Sequence, residues 1–211
     1  MAGRSAEVKH HGYIAIAGNI GAGKTELTGL LCRKFGLTAY LEPSDANPYL
    51  EDFYRDMQAW AFQSQLWFLV QKYRAQREFA SAPRMVVQDR TLYEDAEIFA
   101  RNLHRQRAIS NRDYATYRTL YETIVDSLPP PRLMIQLRCP VRILRQRIAR
   151  RGRAMEQDIP VAYLRRLDRL YQDWFGRYDL SPVVVLDSDK LDWLTDLVDH
   201  LDLLGRIERH L

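Results

Sequence analysis

Cysteine is scarce: the 211 residues hold only Cys32 and Cys139, and neither sits in a paired, metal-type spacing. That argues against a disulfide scaffold or a cysteine-built metal centre, and two reduced thiols of a cytoplasmic protein are expected. No apolar run approaches the ~20 residues that a bilayer span needs, so no membrane partner is expected. Internal repeats and low-complexity linkers are absent, which excludes a solenoid. Residues 1–11 are polar and mixed, lack the hydrophobic region of a signal peptide, and read as a disordered tail. Excess charge is also small, a formal net +4, and it comes from arginine clusters rather than a uniformly basic surface. Such clusters suit polyphosphates, and nucleic acid is not implied.

What remains is a globular composition, 46% hydrophobic and 27% charged, with a length suited to one domain over residues 12–211. Five short apolar runs stand out: Tyr13–Ala17, Thr38–Leu41, Met85–Gln88, Leu133–Leu137 and Val183–Leu186. They do not alternate strictly, which predicts parallel strands buried on both faces. Segments of helical periodicity separate them, at Gly23–Phe35, Tyr49–Ala80 (one helix or two), Asp95–Leu103, Asp113–Ser127, Val141–Arg151 and Val161–Tyr178. A last one spans Leu191–Arg209. This alternation predicts an α/β fold, a five-stranded parallel sheet flanked by helices, with ligands beyond the carboxyl ends of the strands.

After the first strand runs Gly18-Asn19-Ile20-Gly21-Ala22-Gly23-Lys24-Thr25, the phosphate-binding G-x-x-x-x-G-K-[ST] loop between a strand and a helix. Its backbone N–H groups and the helix N-terminus favour phosphate oxygens, Lys24 can reach the β- and γ-phosphates, and the Thr25 hydroxyl can ligate Mg²⁺. The loop alone does not separate a kinase from an ATPase, a GTPase or a nucleic-acid motor. Glu42-Pro43 follows the second strand and Asp89-Arg90-Thr91 the third, so both strand ends should face the same crevice. One carboxylate there can accept a hydroxyl proton, another can serve the metal, and the arginine can balance charge on a transferring phosphoryl group.

With these pieces the chain resembles the deoxynucleoside kinase family, over nearly its whole length beyond the tail. The matching stretches are GNIGAGKT (18–25), EP (42–43), FYRDMQAWAFQSQ (53–65), DRTLYEDAEIFA (89–100) and RRGRAMEQDIPVAYLRRL (150–167). DRTLYEDAEIFA is more similar to bacterial deoxyadenosine kinases than to deoxyguanosine kinases. The resemblance implies a P-loop kinase that uses ATP and Mg²⁺ and forms a homodimer. Glu42 would be the general base beside the 5′-hydroxyl, Arg90 would contact that hydroxyl and the transferred phosphate, and Asp89 would serve Mg²⁺. Tyr54 and Glu156 would contact the sugar 3′-hydroxyl. An arginine-rich lid at about 150–160 would close over the triphosphate, with Arg147, Arg151 and Arg153 on phosphate-contacting positions and Arg142, Arg145 and Arg150 on the surface. Gln65 would bind the base, and Phe99 would pack against it. Asp95 would sit near the base beside Lys72, where relatives commonly carry an arginine.

The expected reaction is transfer of the γ-phosphate to the 5′-hydroxyl of a deoxyribonucleoside, deoxyadenosine first and deoxycytidine weaker. Asp95 favours a base with an amino group, whereas Lys72 could donate to a guanine carbonyl, which keeps deoxyguanosine kinase open. A thymidylate-like monophosphate kinase would need extra cations for its charged acceptor, and Tyr54 and Glu156 suit a neutral sugar instead. A non-catalytic nucleotide- or RNA-binding module lacks a nucleic-acid motif or a clear aromatic platform.

Overall fold

The computed structural model of the protein describes residues 12–79, 81–189 and 204–209. The expected tail lies outside these residues, as does the expected Leu191–Arg209 helix except for residues 204–209, of which 204–208 are helical. Five parallel strands form one sheet in the order β2-β3-β1-β4-β5: β1 (Tyr13–Gly18), β2 (Thr38–Tyr40), β3 (Val86–Asp89), β4 (Leu133–Arg138) and β5 (Val183–Asp187). The central strand, β1, is buried along its whole length, as its uninterrupted apolar run requires. The edge strand β2 departs from the expected burial: Thr38 and Ala39 are exposed, and so is Leu41 just beyond it. With a neighbour on one side only, it needs no double apolar face.

Helix α1 (Lys24–Phe35) starts directly from the glycine loop, and α2 (Leu50–Arg55) is parted from α3 (Met57–Phe79) by Asp56. The Asp56 carboxylate accepts from the Gln58 and Ala59 N–H groups, so this residue ends one helix and caps the next. After β3 the chain enters α4 (Leu92–Glu94), a π-helical stretch Asp95–Ala100 and α5 (Arg101–Arg105), a helix begun earlier than the expected Asp95. The cap is Thr91: its hydroxyl accepts from the Glu94 N–H while the Glu94 carboxylate accepts from the Thr91 N–H. Helices α6 (Asn111–Val125), α7 (Val141–Arg151) and α8 (Val161–Phe175) complete the layers.

One core position works against stability. Tyr117 of α6 is fully buried and its hydroxyl has no hydrogen-bond partner. A buried hydroxyl without a partner costs ~1–3 kcal/mol. Tyr117→Phe is therefore expected to stabilise the protein by about 1 kcal/mol in urea unfolding, against the usual direction of core substitutions. A destabilised variant would show that the hydroxyl has a partner after all.

Candidate active site

The loop between β1 and α1 takes its shape from residues that tolerate unusual backbone. Gly23 has φ 96°, and a side chain on Gly18 would lie 2.9 Å from the Leu137 carbonyl oxygen of the adjacent strand. Within the loop, the Asn19 side-chain oxygen accepts from the Ile20 N–H at 2.8 Å, and its amide donates to the Leu164 carbonyl at 3.0 Å. Lys24 folds back over the loop, its Nζ donating to the carbonyls of Gly18 at 2.9 Å and Asn19 at 3.1 Å. Burial, with Arg90 nearby, draws this ammonium down to about 8.

The β3 end brings the metal-type oxygens to the loop. The Thr25 hydroxyl donates to Asp89 Oδ2 at 2.6 Å, and Asp89 Oδ1 is buried with no protein partner. A hydroxyl and a carboxylate with a spare oxygen fit Mg²⁺, which takes few protein ligands and completes its shell with water and phosphate oxygens. Among the described residues no group of three or more His, Cys, Asp or Glu side chains could hold a metal alone. Arg90, next along, has φ 65°, a costly conformation for an arginine. Its N–H bonds the Ile16 carbonyl at 3.1 Å, and its guanidinium lies 4.4 Å from the centre of the Phe99 ring.

Behind the crevice lies a buried charge cluster. Lys72 Nζ donates to Asp95 Oδ1 at 2.7 Å and to Glu42 Oε1 at 3.2 Å, while the other Glu42 oxygen faces Arg90 Nε at 3.5 Å. Burial pushes Glu42 up, but Arg90, Lys72 and Lys24 outweigh it and hold its carboxyl at about 2. Asp95 responds oppositely: burial, reinforced by Glu42, raises it to about 6 against the pull of Lys72. Burial lowers Lys72, yet its two carboxylates leave it above the usual lysine value.

A cavity of about 1330 Å³ runs from the glycine loop to this cluster. Of the residues expected from sequence to bind phosphate, metal or nucleoside, all but Gly18, Asn19 and Lys72 line it. Lys72 has no exposed side-chain surface and stands behind Glu42 and Asp95 rather than in the cavity. Gln65 is buried with its side-chain oxygen unpartnered, and Phe68 joins Phe99 along the same wall. At the α7 end, Arg147 donates to the carbonyls of Ala22 at 3.2 Å and Ser188 at 2.7 Å. Arg151 and Arg153 both pair with Glu156, which is itself buried. Arg150, expected on the surface, is exposed and also lines the cavity.

Glu94 and Tyr171 escaped the sequence reading. Glu94 Oε1 accepts from the Gly18 N–H at 3.1 Å and from the Tyr171 hydroxyl at 2.7 Å, and its other oxygen holds the Thr91 N–H. The Thr91-x-x-Glu94 capping pattern was visible in the sequence, but its reach to the glycine loop was not.

Comparison with known proteins agrees with this geometry. Residues 14–211 match the family model described as deoxynucleoside kinase. A deoxyadenosine/deoxycytidine kinase of Bacillus subtilis is 35% identical over 89% of this chain and 89% of its own length. A deoxyguanosine kinase of Lactobacillus acidophilus is 34% identical over 92% of this chain and 88% of its own. Among solved structures, the deoxyadenosine kinase of M. mycoides with its products dCMP and dCDP superposes with a TM-score of 0.82. It is 28% identical, over 94% of this chain and 100% of that one. The same enzyme with dATP bound gives a TM-score of 0.80 at 30% identity, over 92% of this chain and all of that one. A phosphate loop, a strand-end carboxylate beside an arginine, and relatives named for the same reaction converge: the chain belongs to the deoxynucleoside kinase family and phosphorylates deoxynucleosides.

Proposed function

We propose that the chain transfers the γ-phosphoryl group of ATP to the 5′-hydroxyl of deoxyadenosine, with deoxycytidine a weaker acceptor. One observation carries the choice of base. Two buried acceptor atoms on the cavity wall, Gln65 Oε1 and Asp95 Oδ2, lack partners. Asp95 has spent its other oxygen on Lys72 and, at about 6, is mainly ionised at neutral pH. Such a wall calls for a donor, and adenine and cytosine carry an amino group where guanine and thymine carry a carbonyl. Lys72, the one residue that favoured guanine, does not line the cavity. The M. mycoides deoxyadenosine kinase, with dATP in one structure and dCMP in another, supports the same pair of bases.

In this reading Lys24 leaves its loop carbonyls for the β- and γ-phosphates, and Arg147, Arg151 and Arg153 act as lid cations around the triphosphate. Thr25 and Asp89 would hold Mg²⁺, which supplies charge neutralisation to the phosphates. Glu42 accepts the hydrogen of the 5′-hydroxyl. A carboxylate held at about 2 is a weak base, so it orients the hydroxyl first and takes the proton late, as bonding to phosphorus acidifies it. Arg90 offsets charge on the transferring group. Tyr54 and Glu156, both on the cavity wall, would contact the sugar 3′-hydroxyl, and the carboxylates of Glu42, Asp95 and Glu156 would repel an acceptor that already bears a phosphate.

Glu42→Gln is expected to lower kcat by ~10²–10⁴-fold while deoxynucleoside binding, measured calorimetrically, survives. A near-normal kcat would remove Glu42 from the chemistry. Competition among all four deoxynucleosides is expected to rank deoxyadenosine first, deoxycytidine second and thymidine poor. A site with unsatisfied partners can reject a mismatched analogue by ~10⁴-fold. Deoxyguanosine with the highest kcat/KM would overturn the assignment of Asp95.

A further inference from the structure

The hydroxyl of Tyr171 has two acceptors and one hydrogen. It lies 2.7 Å from Glu94 Oε1 and 2.9 Å from the Gly18 carbonyl oxygen. All three groups are buried, and Tyr171 and Glu94 are absent from the lining of the phosphate cavity. The Gly18 carbonyl also receives the Lys24 ammonium at 2.9 Å. With the lysine in place this carbonyl is satisfied, and the tyrosine can give its hydrogen to Glu94.

We propose that Tyr171 is a positioning residue whose hydroxyl hydrogen turns from Glu94 to the Gly18 carbonyl when Lys24 departs for the triphosphate. The inference rests on the reading above, in which Lys24 serves the phosphates. Departure of the ammonium would otherwise leave a buried carbonyl without that donor. A rotation about the C–O bond of Tyr171 meets that loss without moving a heavy atom. Glu94 meanwhile keeps the N–H groups of Gly18 and Thr91. The surrounding contacts suit the task. Helix α8 grips the glycine loop at two points, Leu164 through Asn19 and Tyr171 through Gly18, seven residues or about two turns apart on one face. The rotor is therefore fixed relative to the carbonyl it must serve.

A double-mutant cycle on ATP binding tests this. Tyr171→Phe is expected to weaken ATP binding about tenfold, the loss of one hydrogen bond to a buried carbonyl, with deoxynucleoside affinity unchanged. In a Lys24→Ala background no ammonium leaves Gly18 on binding, so adding Tyr171→Phe should change ATP affinity less than about twofold. Tyr171→4-aminophenylalanine, whose amine carries two hydrogens for two acceptors, is expected to restore binding. Equal losses in both backgrounds would make Tyr171 an ordinary brace, and no loss in either would make it irrelevant to the loop; each overturns the proposal. Should Lys24→Ala alone leave ATP affinity unchanged, the phosphate role of Lys24 fails first, a result distinguishable from failure of the tyrosine.

Discussion

One ammonium group holds the acceptor end of this enzyme together. Lys72 Nζ sits between Asp95 and Glu42 with no exposed side-chain surface. Two carboxylates this close repel each other in a poorly hydrated interior, and removing the shared cation from such a cluster typically costs ~3–5 kcal/mol. The lysine therefore acts on both carboxyls at once: it helps hold Glu42 ionised, and it pulls Asp95 down against burial while leaving the second Asp95 oxygen without a partner. Lysine rather than arginine matters here. A guanidinium offers a planar fork with donors to spare for a ligand, whereas this compact ammonium gives two of its three hydrogens to the carboxylates and has no side-chain surface exposed to a ligand. In the proposed function, base recognition and catalysis share this single counter-charge.

The phosphate end is organised differently, by side-chain hydrogen bonds to the backbone of a tight loop rather than by a cluster of ion pairs. Gly18 is fixed through its N–H by Glu94 and its carbonyl by Tyr171 and Lys24, and Asn19 is tied to α8. Glu94 also caps the helix that carries Asp95 and Phe99, so the glycine loop and this wall of the cavity hang on the same carboxylate. The π-helical stretch Asp95–Ala100 carries two residues of the cavity wall, Asp95 and Phe99.

Most of this was legible in the sequence because it rests on local rules. The phosphate loop, the strand-end placement of Glu42 and Asp89, and the five-strand alternation each follow from short-range pattern. The exposed β2 was missed because an apolar run does not reveal how many neighbours a strand has. Lys72 was expected near the base because it stands where relatives commonly carry an arginine. Such a match fixes a position along the helix, not a depth, and depth is decided by Glu42 and Asp95 arriving from two other elements. Glu94 and Tyr171 were invisible for a similar reason: they lie 77 positions apart and touch each other, and Gly18, only in the folded chain.

The pH profile of Lys72→Met tests the shared counter-charge most directly, measured on deoxyadenosine phosphorylation below the variant's melting temperature. Without the ammonium, Glu42 and Asp95 can no longer both stay ionised. The account predicts a lower kcat and an acid limb displaced toward neutral pH by about one unit or more. A raised deoxynucleoside KM, with kcat and the acid limb unchanged, would contradict it and return Lys72 to the role of a base contact.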